Sequence, residues 1–256
     1  MREEDIILII IVIIVLVVII VIYTSTTKIQ TSNFDITKIP IYIINLKSDE
    51  IRRKKITQRL DNFKLKYKVW EAVTPKSDKF KDYKYFDFMS PNEKACAASH
   101  YSLWEYLLNT TDNYFLDSNN EHFLILEDDI MFKKDWLNYL KEVPKDFDAL
   151  FLNVSEEVFP NKQWTVINGY CMAGAYIVSR KGLKYLLNKN KDTKDVADYM
   201  TLDLQSSNNN SYSYFPWLSI QEHLDSNIQD MNHINKDRLR AVKILANHQL
   251  SHDDYV

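Results

Sequence analysis

The sequence predicts an α/β domain: an open, mostly parallel sheet with helices on both faces, set behind an N-terminal transmembrane helix. Three observations predict it. Short apolar runs alternate with segments of helical periodicity from Ile41 onward, and strands separated by helices favour a parallel sheet covered on both sides. The runs are continuously apolar, as buried strands are. From Ile6 to Ile22 every residue is Ile, Leu or Val, a helix of roughly 26 Å that Tyr23 and the flanking polar residues extend to the ~30 Å of a bilayer.

The chain therefore divides into an anchor at 1–23, a Thr/Ser-rich polar stalk at 24–39 and a globular domain at 40–256. A cleaved signal peptide is the competing reading of the N-terminus. It needs a basic start and small residues at a cleavage site, whereas this chain opens Met-Arg-Glu-Glu-Asp and continues Thr24-Ser25-Thr26-Thr27. The expected location is a membrane, held by residues 6–22 in a single pass, with type II orientation and a luminal domain. Sequons at Asn109, Asn153 and Asn209 are compatible with that.

Within the domain, Ile41 to Leu46 reads as a buried strand and Ser48 to Phe63 as a helix with Ile51, Ile56, Leu60 and Phe63 at helical spacing. Tyr67 to Val73 is a second strand. Ser90-Pro91-Asn92-Glu93 has Ser at the N-cap, Pro at N1 and Glu at N3, a capping box opening a helix that runs to about Leu108. A polar loop over 109–121 leads to the most apolar strand, His122 to Ile130. A helix is expected over Trp136 to Val143, strands over Ala149 to Val154 and Tyr170 to Ser179, and a helix over Lys181 to Asn188. A polar segment, 189–213, precedes a last strand at Tyr214 to Gln221.

Composition excludes several classes. The 32 Lys and Arg against 35 Asp and Glu leave a net charge of −3, so nucleic acid is not an expected partner. Two cysteines exclude a disulfide scaffold and a multi-Cys zinc module. Three glycines leave no room for a Gly-rich dinucleotide loop, and no P-loop pattern occurs. The abundance of Ile, Lys, Asn and Tyr fits an AT-rich coding genome, such as that of a large DNA virus or a parasite.

The residues that point to chemistry follow the apolar strand. Glu127, Asp128 and Asp129 cannot all be buried without a cation or a partner. Alternation along the strand sends Glu127 and Asp129 to one side and Asp128 to the other. An acid-x-acid pair at the carboxyl end of a central parallel strand lies where open α/β sheets bind ligands. Oxygen ligands of this kind select Mn²⁺ or Mg²⁺, completed by substrate phosphates. A solvated acidic turn is the plainer alternative. Cys96, His100, Leu103 and Leu107 form one helical stripe, which makes His100 either a satisfied core histidine or a ligand. Arg52 and Arg53 near a helix start are a solvated basic face or a pyrophosphate contact. Gly169, Gly174 and Gly182 all lie in one short stretch, serving either close approach of a ligand or helix–sheet packing.

Together, Ile43-Ile-Asn-Leu46 with Arg52-Arg53, Glu93-Lys-Ala-Cys-Ala-Ala-Ser-His100, Leu124-Ile-Leu-Glu-Asp-Asp129 and Gly174-Ala-Tyr-Ile-Val-Ser179 with Gly182 and Leu186-Leu187 resemble glycosyltransferase family 25. That family includes lipopolysaccharide glycosyltransferases and procollagen galactosyltransferases. The resemblance spans about residues 40–230, including Asp198, Gln221 and Ser226-Asn-Ile228. Asn92 and Ala95 stand where the family has Gly, departures that bear on substrate fit more than on fold.

The resemblance implies a GT-A type nucleotide-sugar-binding fold, a UDP-sugar donor, Mn²⁺ or Mg²⁺, and inversion at the anomeric carbon. It implies a glycan or a collagen-like protein as acceptor. On this reading Glu127 and Asp129 hold the metal and Asp198 is the catalytic base. Asn45, Arg52, His100, Glu127 and Asp128 face the donor, Arg52 at the nucleotide. Capping of a helix over Ala197–Leu204 is the alternative role of Asp198, and Cys96 and Cys171 are expected as free thiols. Two other functions compete: a metal-dependent phosphoesterase using the same acids, and a catalytically inactive virion or surface protein of the same fold.

Overall fold

The structure, a computed structural model, describes residues 29–109, 120–160, 162–205, 210–222 and 231–256. The proposed anchor, with the first residues of the stalk, lies outside them. Among the described residues no helix is long and apolar enough to cross a membrane.

Among the described residues eleven strands occur in chain order: β1 (Thr31–Asn33), β2 (Ile41–Asn45), β3 (Lys68–Glu71), β4 (His122–Glu127), β5 (Ile130–Phe132), β6 (Glu142–Pro144), β7 (Ala149–Phe151), β8 (Trp164–Val166), β9 (Ala175–Ser179), β10 (Ser211–Tyr214) and β11 (Ser219–Gln221). The helices are α1 (Glu50–Asn62), α2 (Asp78–Lys81), α3 (Pro91–Asn109), α4 (Trp136–Tyr139), α5 (Arg180–Lys189), α6 (Ala197–Leu202) and α7 (Met231–Asn247).

Seven strands form the main sheet in the order β3-β2-β4-β9-β7-β10-β8. Pairing is parallel for β2 with β3 and with β4, and for β7 with β10. It is antiparallel wherever β9 or β8 takes part. Five of the seven strands thus point one way, and the mostly parallel sheet expected from sequence is a mixed one. Its reason is β9, which enters between β4 and β7 and reverses against both.

The central strands are buried on both faces, and alternation divides their side chains into two cores. Tyr42, Ile44, Phe123, Ile125, Phe151 and Tyr176 pack with Trp104 and Leu107 of α3 and with Leu183 and Leu186 of α5. Ile41, Ile43, Leu124, Leu126, Leu150 and Ile177 pack on the opposite face with Ile56 and Leu60 of α1 and with Trp136. Helix α3 starts as its sequence dictates: Ser90 N–H donates to Glu93 Oε2 (2.7 Å), and Glu93 N–H donates to Ser90 Oγ (3.3 Å).

Three expectations are corrected. The helix over Trp136 to Val143 is a single turn, because Glu142–Pro144 pairs antiparallel with Thr31–Asn33 instead. That pairing, with Ile36 buried at 6% exposure, brings residues read as stalk into the folded domain. The last strand, expected over Tyr214 to Gln221, is only Ser219–Gln221 (β11): Phe215-Pro216-Trp217 separates it from β10, which occupies Ser211–Tyr214 at the end of the expected polar segment, since proline has no N–H for a ladder.

Gly182 serves helix–sheet packing, not a ligand. A Cβ there would lie 2.7 Å from the backbone oxygen of Asp148, a contact that backbone cannot yield cheaply. Gly182→Ala is expected to destabilise the fold by about 2 kcal/mol, read by urea denaturation. An unchanged midpoint would show that α5 can shift off the sheet.

Candidate active site

The carboxyl ends of β2, β4 and β7 open into one cleft of about 670 Å³. Its walls carry Arg52, Glu127, Asp128, Asp129, Asn153 and Asp198. Apolar and small residues beyond β2 and β3, among them Leu46, Thr74 and Pro75, close one end, and Met172 and Trp217 line another part.

Glu127 ends β4 and Asp128 and Asp129 form the turn to β5, and each carboxylate has a different environment. Asp128 is held by the protein: its Oδ2 accepts from Asn45 Nδ2 (2.7 Å) and its Oδ1 from Arg52 (3.1 Å). Burial nevertheless raises its pKa above the ordinary value.

Glu127 is held from behind. Trp104 Nε1–H donates to the Tyr176 hydroxyl oxygen (2.8 Å). The Tyr176 proton is thereby directed to His100 Nδ1 (3.1 Å), and His100 Nε2–H to Glu127 Oε1 (3.2 Å). Gln221 Nε2 adds a contact to Oε2 at 3.4 Å. Burial opposes ionisation of Glu127, but the His100 hydrogen bond and the Arg52 charge outweigh it and hold the carboxyl below its ordinary value.

Asp129 has the least support. Its Oδ1 is buried with no hydrogen-bond partner among the described residues. Burial first, and then the charge of Glu127, push its pKa up to about 7. Arg52 stands 4.0 Å from its Oδ2 and also faces Asp49. Burial works against the guanidinium's charge, and Asp129 and Asp128 more than offset it.

Asn45 and His100 stand behind the cleft wall rather than in it, at 1% and 0% exposure. Their contacts pass through Asp128 and Glu127. Cys96, His100 and Glu127 bring one ligand atom each within 4.8 Å of the others, which among the described residues is the one set of three able to hold a metal. Hydrogen bonds already occupy that set. The Cys96 thiol, raised well above its ordinary value by burial and by Glu127, is a weak donor to Glu127 Oε1. Cys96 and Cys171 are both free.

Asp198 lies in the first turn of α6 and lines the cleft. It is not the N-cap, which is Val196. Its Oδ1 instead accepts from Ala173 N–H (2.7 Å), tying down the loop before β9 where Met172 has φ of 145°. The loop after β3 is similarly fixed, with Val73 N–H donating to Ser99 Oγ (2.8 Å). On the far side, α1 clamps β11 through Lys55 (2.7 Å) and Arg59 (2.8 Å) on Glu222, which stations Gln221 beside Glu127.

Residues 38–164 match the family model of glycosyltransferase family 25 (LPS biosynthesis protein). The chain belongs to glycosyltransferase family 25. The match covers β2, α1, α3 and the acidic triplet, so this family 25 chain carries the matched blocks on the walls of its cleft. A Haemophilus influenzae (strain ATCC 51907 / DSM 11121 / KW20 / Rd) protein named "Putative glycosyltransferase" is 28% identical over 183 residues, covering 63% of this chain and 62% of that protein. The chain thus spans less than two thirds of that relative's length. A solved glycosyltransferase involved in the glycosylation of the major capsid of PBCV-1 aligns over 59% of this chain and 66% of its own, with 11% identity and a TM-score of 0.32.

Sequence reasoning missed Asn153 as a cleft residue. The Asn-Val-Ser sequence reads as a glycosylation sequon, but Asn153 is 2% exposed, which closes it to modification in the folded protein. A position just after an apolar strand of the same direction as β4 was the signal that could have found it.

Proposed function

We propose that this protein is an inverting, metal-dependent hexosyltransferase of GT-A type that moves a sugar, galactose or glucose, from a UDP-sugar to a hydroxyl of a glycan or a collagen-like protein. The observation that supports it most is the acid triplet facing the cleft, with one carboxylate left short of hydrogen bonds beside Arg52. A buried carboxyl whose pKa is driven to about 7 by burial and by the charge of Glu127, with Arg52 offsetting this only in part, is suited to a bound cation. Mn²⁺ or Mg²⁺ fits this oxygen-donor chemistry, with Asp129 as the principal ligand and Glu127 beside it. When bound, such a cation supplies neutralising charge to the diphosphate leaving group.

The rest is done by the chain's own residues. Leu46, Thr74 and Pro75 offer a wall for the nucleoside at the β2–β3 end. Arg52, oriented by Asp49 and Asp128, presents positive charge to the pyrophosphate. Asp198 accepts the proton of the acceptor hydroxyl as its oxygen bonds to the anomeric carbon from the face opposite the departing diphosphate. The Ala173 N–H on Oδ1 fixes the orientation of that carboxylate. The all-aliphatic segment 6–22 supports a membrane location for this reaction.

The test is a screen of the purified full chain against UDP-sugars with and without Mn²⁺, following UDP release and thermal shift. Turnover is expected to fall to background with EDTA and to return with Mn²⁺. Phosphate release from simple phosphate esters, without any response to a nucleotide sugar, would favour the phosphoesterase alternative. Normal folding with no donor binding would favour the inactive one.

A further inference from the structure

The chain leaves β7 through Leu152-Asn153-Val154-Ser155, and here the cleft contains a polar group that the protein does not satisfy. Asn153 lines the cleft at 2% exposure. Neither its Nδ2 nor its Oδ1 has a hydrogen-bond partner among the described residues. A buried carboxamide lacking both is unfavourable, and nearly all such groups in folded proteins are paired.

The backbone around Asn153 is fixed. Leu152 N–H donates to Ala175 O (3.0 Å), and Leu152 O accepts from Leu218 N–H (2.8 Å) and Ser219 N–H (3.0 Å). Ser155 N–H donates to Cys171 O (3.0 Å). The amide is therefore held at its station without being used there.

Strand order says what would meet it. Along β3-β2-β4-β9-β7, the nucleoside wall stands at the β3–β2 end and the acid triplet at β4. Asn153 follows β7, two strand spacings farther on, roughly 10 Å from β4 at ~4.8 Å per spacing. A donor laid with its base at β2–β3 and its diphosphate at Asp129 delivers the group beyond the diphosphate toward Asn153. Asp198, tied to Ala173 just before β9, borders the same end.

We propose that Asn153 is a specificity-determining residue whose carboxamide reads a hydroxyl of the transferred sugar, donating from Nδ2 and accepting at Oδ1. This rests on the glycosyltransferase reading above. A site built to hydrogen-bond a substrate hydroxyl rejects analogues lacking it far more strongly than an apolar pocket rejects a change of shape.

The test uses Asn153→Leu, of similar size and without polar atoms, and Asn153→Ala, in the full chain. Each is titrated with UDP and with UDP-glucose, UDP-galactose and UDP-N-acetylglucosamine. Because no protein hydrogen bond is lost, the melting temperature of Asn153→Leu is expected not to fall. UDP affinity is expected to stay within twofold. The added affinity of the preferred UDP-sugar over UDP is expected to drop at least tenfold, and preference among the sugars to collapse. Variants that keep the wild-type ratio of UDP-sugar to UDP affinity overturn the proposal. So do variants that lose UDP binding in proportion, or failure of both to fold, since each assigns Asn153 a structural role. A wild-type chain that binds none of these probes refutes the glycosyltransferase reading itself, and the proposal with it.

Discussion

Asp129→Asn is expected to lower sugar transfer by roughly 10²–10³-fold, the scale on which a preorganised electrostatic contact to developing charge is felt, and to abolish the response of the remaining rate to Mn²⁺. The reason lies in the different states of the three acids. Asp128 spends both oxygens on Asn45 and Arg52. Glu127 spends its oxygens on His100, Cys96 and Gln221. Asp129 alone of the three keeps a buried oxygen with no partner among the described residues. Stability should move the other way. A carboxyl whose pKa stands near 7 in the folded chain, against 3.8 for the ordinary group, holds its proton more tightly when folded. Its ionisation therefore costs stability increasingly as pH rises from about 4 through 7, and stays costly above. Removing that charge is expected to raise the melting temperature of the metal-free protein at pH 8 and to leave it unchanged near pH 4. Initial rates with and without Mn²⁺, paired with melting curves at the two pH values, check both halves. Full metal-dependent transfer by the variant would remove Asp129 from the site.

Much of this arrangement is legible from residues alone, for identifiable reasons. β2 and β4 are buried on both faces, so they appear in sequence as unbroken apolar runs, and the acids that end β4 stand out against them. The start of α3 is written in Ser90 and Glu93. Other parts are hidden where polar residues are buried and satisfied. Ser211-Tyr-Ser213 reads as the end of a polar segment, yet all three are buried, as is Tyr214 after them. Its hydroxyls are absorbed by backbone: Ser211 Oγ–H donates to Leu204 O, and Ser213 Oγ–H to Phe151 O (2.9 Å). The helix Met231–Asn247 lies beyond the last element expected from sequence, and Arg240 and Ala241 reach the cleft from it. The roles of the site residues are mixed in the same way. His100 and Asn45 belong to recognisable blocks, but only the fold shows that they act on Glu127 and Asp128 from behind. The capping of α6 by Asp198, plausible from spacing, gives way to a hydrogen bond across to Ala173 that no local pattern encodes.

That hydrogen bond makes Asp198→Asn a sharp experiment. The asparagine oxygen can still accept from Ala173 N–H, so the loop carrying Met172 keeps its support and the cleft its shape. What disappears is the capacity to take a proton. Turnover is expected to fall by about 10²–10⁴-fold, the range for loss of a positioned general base, while KM for the donor and the melting temperature stay close to those of the parent. Asp198→Ala removes the loop's tether as well, so it should lose thermal stability in addition to rate. The two variants separate proton transfer from scaffolding in a way that a single alanine substitution cannot. If Asp198→Asn raises the donor KM and leaves turnover intact, the carboxylate binds donor and the base is another group. If both variants behave alike in rate and in melting temperature, the Ala173 contact contributes nothing and the orientation argued for this carboxylate is wrong.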